Sequence, residues 1–322
     1  MKNLTRRALL RSFAFALAAL CTLPALAADK PKKLLVVTVT TSFRHSSIPT
    51  AEKILAQLAQ ESGKFTVDFV QQPPNQPQNP RAPKPGPTGD KDPKFLEAMA
   101  KFEAAKKVFD AENPLWMKAV EKELEQLSPA NLKNYDGVIF CNTTGDLPLP
   151  DKQGFIDWVN NGHAFMGMHS ATDTFHQFRP FIDMIGGEFK THGPQVEVDC
   201  INQDPAHSAC KHLPATWTVF DEIYQMKSFE RSKVHGLLGL DKHPNDKSPG
   251  DYPVAWCKEF GKGCVFYTSL GHREDMWNPE EKNRKNSPEI AKQYQQHILN
   301  GILWALKLAP GDGKPQVTKY PY

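Results

Sequence analysis

Leu34-Leu35-Val36-Val37-Thr38-Val39-Thr40 is an unbroken apolar and β-branched run, and His163-Ala164-Phe165-Met166-Gly167-Met168 is a second. A strand with one wet face alternates apolar and polar residues. A strand that does not alternate is buried on both faces. Such strands need a sheet covered on both sides, and the intervening segments supply the cover. A helix is expected from Ile48 to Ser62, followed by the strand Phe65–Val70. After the strand within Tyr135–Thr143 comes a helix over Pro150–Asn161. Pro180–Ile185 is helical and stops at Gly186-Gly187. Strands are expected in VEVDCI (Val196–Ile201) and KVHGLLGLD (Lys233–Asp241). PVAWCKEF and GCVFYTSLG form a hairpin around Gly261–Gly263, and Ser287-Pro288 opens a last amphipathic helix to about Leu308. The expectation is an α/β three-layer sandwich with a mostly parallel sheet.

The remaining segments are organised differently. Residues 1–28 read as a signal peptide: Lys2, Arg6, Arg7 and Arg11, then SFAFALAALCTLPALA, with Ala25-Leu26-Ala27 at the cleavage site. TRRALLR (Thr5–Arg11) also resembles a twin-arginine export signal. The expected location is therefore periplasmic or extracellular, with no stable membrane span after cleavage. The formal net charge of +3 includes those four cations and no acid, so the remainder carries −1. A near-neutral chain lacks the electrostatic footprint of a nucleic-acid binder. Residues 32–309 read as one domain, with a Pro-rich and helical insertion at about 71–130 and a loose tail at 310–322. In an oxidising compartment Cys200–Cys210 and Cys257–Cys264 are candidate disulfides, the other reading being buried thiols. Cys141 ends a buried strand and reads as packing.

Ligands of open parallel sheets bind beyond the carboxyl ends of the strands. The loops leaving those ends are polar here. They carry Arg44 and His45, then Asn142, Thr143, Thr144 and Asp146, then His169, Ser170 and Asp173, then His272 and Glu274. The segment Gly167-Met168-His169-Ser170-Ala171 has the form of a nucleophile elbow, with an imidazole where Ser or Cys normally stands. His192 and the pair Asp221-Glu222 lie on connecting segments able to cover this edge. His163, His176, His207, His212, His235, His243 and His297 read as surface or structural residues.

The segments VTTSFRHSSI, YDGVIFCNTTGD, GMHSATDTF, MIGGEFKTHGP, DEIYQ, PVAWCKEFGKGCVFYTSLGH and HILNGILWAL resemble, in order, those of the ThuA-like (trehalose-utilisation) family. The resemblance runs from about Leu34 to Leu308 and implies a flavodoxin-like fold related to class I glutamine amidotransferases. Those enzymes use a Gly-x-Cys-x-Gly elbow and a later His-x-Glu. Here His169 replaces the Cys, and His272-Arg273-Glu274 keeps the second form. Without a thiolate there is no thioester chemistry, so glutaminase activity is not expected. The resemblance implies a role with trehalose-type disaccharides, beside sugar oxidoreductases that make 3-keto-glycosides.

Imidazole exchanges protons near neutrality. The sequence-based candidates are therefore His169, His272 and Glu274 as the catalytic set, with Glu274 orienting His272. A keto group acidifies the neighbouring C–H, so a His base could drive elimination or isomerisation of a keto-sugar. His45, Asn142, Asp146, Ser170, Asp173, Glu222 and Tyr224 are candidates for holding the sugar, with Phe43, Tyr224 or Trp277 stacking on its ring. A divalent metal such as Zn²⁺ is a candidate cofactor, with His45, His169, His192 and His272 as ligands and Asp173 or Glu222 behind them. No His-Glu-x-x-His spacing supports it. The alternatives are a non-catalytic carbohydrate-binding protein using the same pocket, or a partner of an oxidoreductase docking through Lys94–Leu127.

Overall fold

The computed structural model describes residues 30–87 and 89–316. The signal-peptide reading of residues 1–28 and the tail beyond residue 316 lie outside the described residues.

The first strand, β1 (Lys32–Val37), shows why the apolar run is unbroken. Leu34 and Val36 face one core, while Leu35 and Val37 face another on the opposite side of the sheet. Helix α1 (Ile48–Ser62) lies on the first face; Gly63, at φ +60°, ends it and donates its N–H to Ala59 O. Strand β2 (Phe65–Val70) pairs parallel with β1. The Pro-rich stretch has little regular structure. Asp92 then caps α2 (Pro93–Leu124) by accepting the Lys94 N–H, and Pro93 fits the first turn. Only Trp116, Val120 and Leu124 of α2 are buried. They join the second core, while the Trp116 indole donates to Pro73 O and fastens the Pro-rich loop.

After the one-turn helix α3 (Pro129–Leu132), the chain alternates as expected: β3 (Gly137–Cys141), α4 (Lys152–Asn160), β4 (Ala164–Met168) and α5 (Arg179–Ile185). Next come β5 (Glu188–His192), β6 (Val196–Asn202), β7 (Thr216–Asp221), β8 (Tyr224–Lys227) and β9 (His235–Lys242). The hairpin of β10 (Pro249–Phe260) and β11 (Gly263–Thr268) leads through the one-turn α6 (Glu274–Trp277) to α7 (Pro288–Ala305). The Ser287 hydroxyl caps α7 at the Ile290 N–H.

The main sheet runs β2-β1-β3-β4-β11-β10-β9-β6-β7, and β5-β8 forms a separate ribbon. β2, β1, β3, β4 and β11 are mutually parallel; the extension through β10, β9, β6 and β7 is antiparallel. The sheet is therefore mixed, and its parallel half is the part legible from the apolar runs. α1 and α7 cover one face; the end of α2, α4 and α5 cover the other. No helix among the described residues is long and apolar enough to cross a membrane.

Two expectations are corrected. Cys141, Cys200, Cys210, Cys257 and Cys264 are all free, buried thiols. Cys257 lies opposite Phe266, and Cys264 opposite Glu259, so the two cysteines are only diagonal neighbours across the hairpin. Cys210 instead points its thiol at Leu237 O. Residues 310–316 are not loose: Pro310, Gly311, Gly313 and Lys314 each accept a hydrogen bond through the backbone carbonyl, from Ser208, Trp304, Glu259 and His235.

Candidate functional site

β4 ends at Met168, and the chain turns sharply into a short 3₁₀ turn, His169–Asp173. His169 holds φ +48°, a left-handed conformation rare for a residue with a Cβ. Such strain survives only where surrounding contacts enforce it. The Tyr267 hydroxyl does so by donating to His169 O at 2.7 Å, and Thr172 in turn bonds the Tyr267 hydroxyl. The His169 ring is fully buried.

Ring orientation follows from hydrogen bonding. His169 Nδ1 lies 2.8 Å from Ser269 O, an acceptor only, so Nδ1 carries the proton and Nε2 presents a lone pair. Three other groups meet that lone pair. His45 Nε2 is 3.1 Å away, His272 Nδ1 3.3 Å and Glu222 Oε2 3.7 Å. Glu222 Oε2 is also 3.2 Å from His272 Nδ1. All four donor atoms lie within 4.8 Å of one another. Behind His45, Ser170 Oγ stands 3.3 Å from Nδ1. Both His45 and His169 thus have an outer polar partner on the nitrogen facing away from the cluster.

The electrostatics divide the cluster. Burial, reinforced by its neighbouring histidines, pushes His169 well below the ordinary imidazole value. Burial and the His272 charge bring His45 down to about 4. Burial also opposes a proton on His272, but the hydrogen bond to Glu222 and the charges of Glu222, Asp221 and Glu274 carry it above its usual value. The result is two neutral, lone-pair imidazoles beside a carboxylate-backed one.

The donor set fits a divalent cation. Three imidazole nitrogens and one carboxylate oxygen are a zinc-type set, and ligands about 2.1 Å from a tetrahedral ion stand roughly 3.4 Å apart. Four of the edges here run from 3.1 to 3.7 Å, and all lie within 4.8 Å. A proton between His45 and His169 would satisfy that pair alone; it gives no reason for the other two groups to converge.

A backbone hub holds the His272 loop. Gly271 has φ +117°, and a Cβ there would lie 2.6 Å from the Tyr294 hydroxyl oxygen. Its N–H donates to Asp221 Oδ2, and its carbonyl accepts from Ser47, Asn142 and Trp277. Burial raises the Asp221 carboxyl to about 6.

The sequence-predicted residues separate cleanly. His45, His169 and His272 come together from three strand exits. Glu222, expected behind the ligands, is in the cluster. His192, expected as a ligand, is outside it: its side chain is 44% exposed and its Nδ1 is 3.0 Å from Glu222 Oε1. Glu274 does not orient His272; it accepts a hydrogen bond from Ser46, and Glu222 takes the orienting place. Asn142 is not open to a ligand. At φ +54° it is fully buried, donating to Ser47 and Gly271 as a clip. Asp146 is exposed and paired with Lys152. Asp173 bonds His176, which also bonds Glu188, a pairing the sequence reading missed. Tyr224 is buried, its ring 4.5 Å from that of His169. Trp277 is core, whereas Phe43 is exposed beside His45. The missed strands β7 and β8, which deliver Glu222 and Tyr224, carry a weak signal: Trp217, Val219 and Asp221 are buried in alternation with exposed Thr216 and Thr218.

No thiol is at the elbow, and burial pushes Cys141 far up from the usual thiol value. Thioester chemistry therefore has no nucleophile here.

Known proteins agree with this architecture. The family profile described as "ThuA: Trehalose utilisation" matches residues 90–305. A ThuA-like protein from Parabacteroides merdae superposes with a TM-score of 0.57 at 20% identity, covering 91% of this chain and 94% of that one. A ThuA-like protein from Bacteroides uniformis gives 0.51 at 19% identity, covering 88% and 95%. At these identities the structural likeness speaks for the fold alone. No curated protein sequence matches the chain. The family description attaches a carbohydrate-related role to its members, and by the span of the match this chain belongs to the ThuA family.

Proposed function

We propose that this chain is an exported enzyme acting on a sugar or keto-sugar, and that His45, His169, His272 and Glu222 hold a divalent cation at its centre. The observation that carries this is the convergence of four donor atoms within 4.8 Å, from four separate segments between His45 and His272. The carbohydrate class comes from family membership. When bound, a divalent cation supplies Lewis acidity toward a substrate oxygen.

The chain's own groups supply the proton transfer. His192 stands at the rim with Nδ1 facing both Glu222 Oε1 and Gly193 O, so Nδ1 carries the proton and Nε2 is a base turned outward. Glu222 orients this imidazole as a carboxylate does in other dyads. In a keto-glycoside, His192 Nε2 takes the proton from the carbon beside the carbonyl. The C–H electron pair moves into an enolate, and elimination follows as the C–O bond breaks. The leaving oxygen then receives a proton from the imidazolium or from water. His45 and His169, neutral and buried, fix the centre and take no part in the transfer.

The test is turnover of a 3-keto-disaccharide, followed by proton NMR, for wild type, His192→Gln and His169→Ala. Removing a general base costs about 10²–10⁴ in rate, so His192→Gln is expected to fall by at least the lower figure, while His169→Ala loses turnover with the centre that the cation would occupy. Wild-type rates in both would overturn the proposal.

A further inference from the structure

A cavity of about 540 Å³ opens between the loop after β1 and the insertion. One wall is Thr41–Arg44; the other is Gln76–Asn79 and Arg81 with Phe109, Asn113 and Met117 from α2. Its size falls within the range of about 300–1,000 Å³ typical of small-molecule sites. It also adjoins the histidine cluster. Phe43 lines the cavity while its ring meets His45 edge-on at 4.8 Å.

The wall is built before any ligand arrives. The Phe43 carbonyl accepts from Thr144, and Thr41 N–H donates to Thr144 O. The Arg44 guanidinium donates to Thr38 O and to Gln72 Oε1. Gln72 Oε1 also accepts from Thr40, while its amide donates to Gln76. The start of the Pro-rich loop is thus tied to the end of β1, and Trp116 ties it to α2.

The lining is mostly polar and includes the guanidinium groups of Arg44 and Arg81. Two aromatic rings, Phe43 and Phe109, stand among the planar amides Gln76, Gln78, Asn79 and Asn113. No carboxylate lines it. Ring faces stack on the C–H face of a pyranose, and side-chain amides pair with adjacent hydroxyls. Phe43 is 60% exposed, a large apolar side chain mostly open to solvent.

We propose that this cavity is a subsite for the second ring of a disaccharide whose reacting ring lies at the histidine cluster, so that the insertion sets the preference for disaccharides over monosaccharides. The proposal rests on the carbohydrate reading above. It gives the insertion a role that packing leaves open, since most of α2 is exposed.

The experiment is calorimetric titration of the full mature chain with glucose, trehalose, maltose and cellobiose, for wild type, Phe109→Ala and Asn79→Ala. Asn79 is exposed on the loop, so its variant guards against a folding defect in the other. The expected result is a disaccharide bound about tenfold more tightly than glucose, an advantage of the size one stacked ring confers. Both variants should lose that advantage and keep glucose binding. Equal binding of glucose and every disaccharide, or an advantage that survives both substitutions, overturns the subsite and leaves the sugar reading standing. Binding of no sugar by the wild type overturns both.

Discussion

Two groups of histidines in this chain share burial but differ in what their nitrogens face. His45, His169 and His272 turn ring nitrogens toward one another and toward Glu222. His207 and His235 lie 6.0 Å apart between ring centroids, yet each nitrogen has its own protein partner. His207 Nδ1 accepts from Ala209 N–H and its Nε2 faces Cys257 Sγ; His235 lies between Lys314 O and Asp204. Burial drives His45 and His207 alike down to about 4. A depressed imidazole therefore does not mark a site. Convergent lone pairs do, because nothing in the fold itself rewards pointing them at one place.

The largest effect should come from the hub beneath the first group. Gly271→Val adds a side chain at φ +117° against Tyr294 and Trp277. Strain and overpacking together should cost about 3 kcal/mol or more. Urea denaturation will show a lower midpoint, and zinc binding will be lost with the His272 loop.

Glu222→Gln sharpens the comparison from the other side. It keeps the shape of the side chain and removes the charge shared by His169, His272 and His192. Zinc affinity should fall by at least about 10–100-fold, read by competition with a chelating dye, with the denaturation midpoint nearly unchanged. His207→Ala should do the reverse. It should lower stability by about 1–3 kcal/mol through lost packing and an unpaired Ala209 N–H, while zinc content stays at the wild-type level.

A further effect is on pH dependence, nearly absent at neutral pH, and it belongs to the structural histidines. Burial lowers His297 to about 3. Its folded value lies below the unfolded one near 6.5, so the unfolded chain binds the extra proton. Stability from this group is full above pH 6.5 and is lost as pH falls toward the folded value. His297→Gln should flatten the slope of unfolding free energy between pH 6.5 and 4 by up to about 1.4 kcal/mol per pH unit. Urea titrations at pH 7, 6 and 5 measure it; an unchanged slope would contradict the assignment.

How much was legible in the sequence divides along the sheet. The parallel strands announce themselves because burial on both faces leaves no polar position, so β1, β3 and β4 and the residues at their exits were readable. His45, His169 and His272 follow from that rule and the position of the loops. Glu222 does not. It reaches the cluster only because β6 and β7 fold back antiparallel and turn into β8, and no local spacing encodes that return. β5 and β8 are short, half-exposed strands whose polar residues resemble a loop. The His-x-Glu spacing of His272 and Glu274 suggests a pair. The turn of α6 carries Glu274 to Ser46 instead. The short tail segment 310–316 has the composition of a loose end, and its order comes from backbone carbonyls that sequence does not advertise.

The most direct test of the central claim is elemental analysis by inductively coupled plasma mass spectrometry after zinc loading and desalting. Wild type, His169→Ala and His207→Ala are compared. The account predicts about one zinc per chain in wild type and His207→Ala, as a single four-donor centre holds one ion, and none in His169→Ala. Wild type without zinc, or His169→Ala retaining it, would contradict the account.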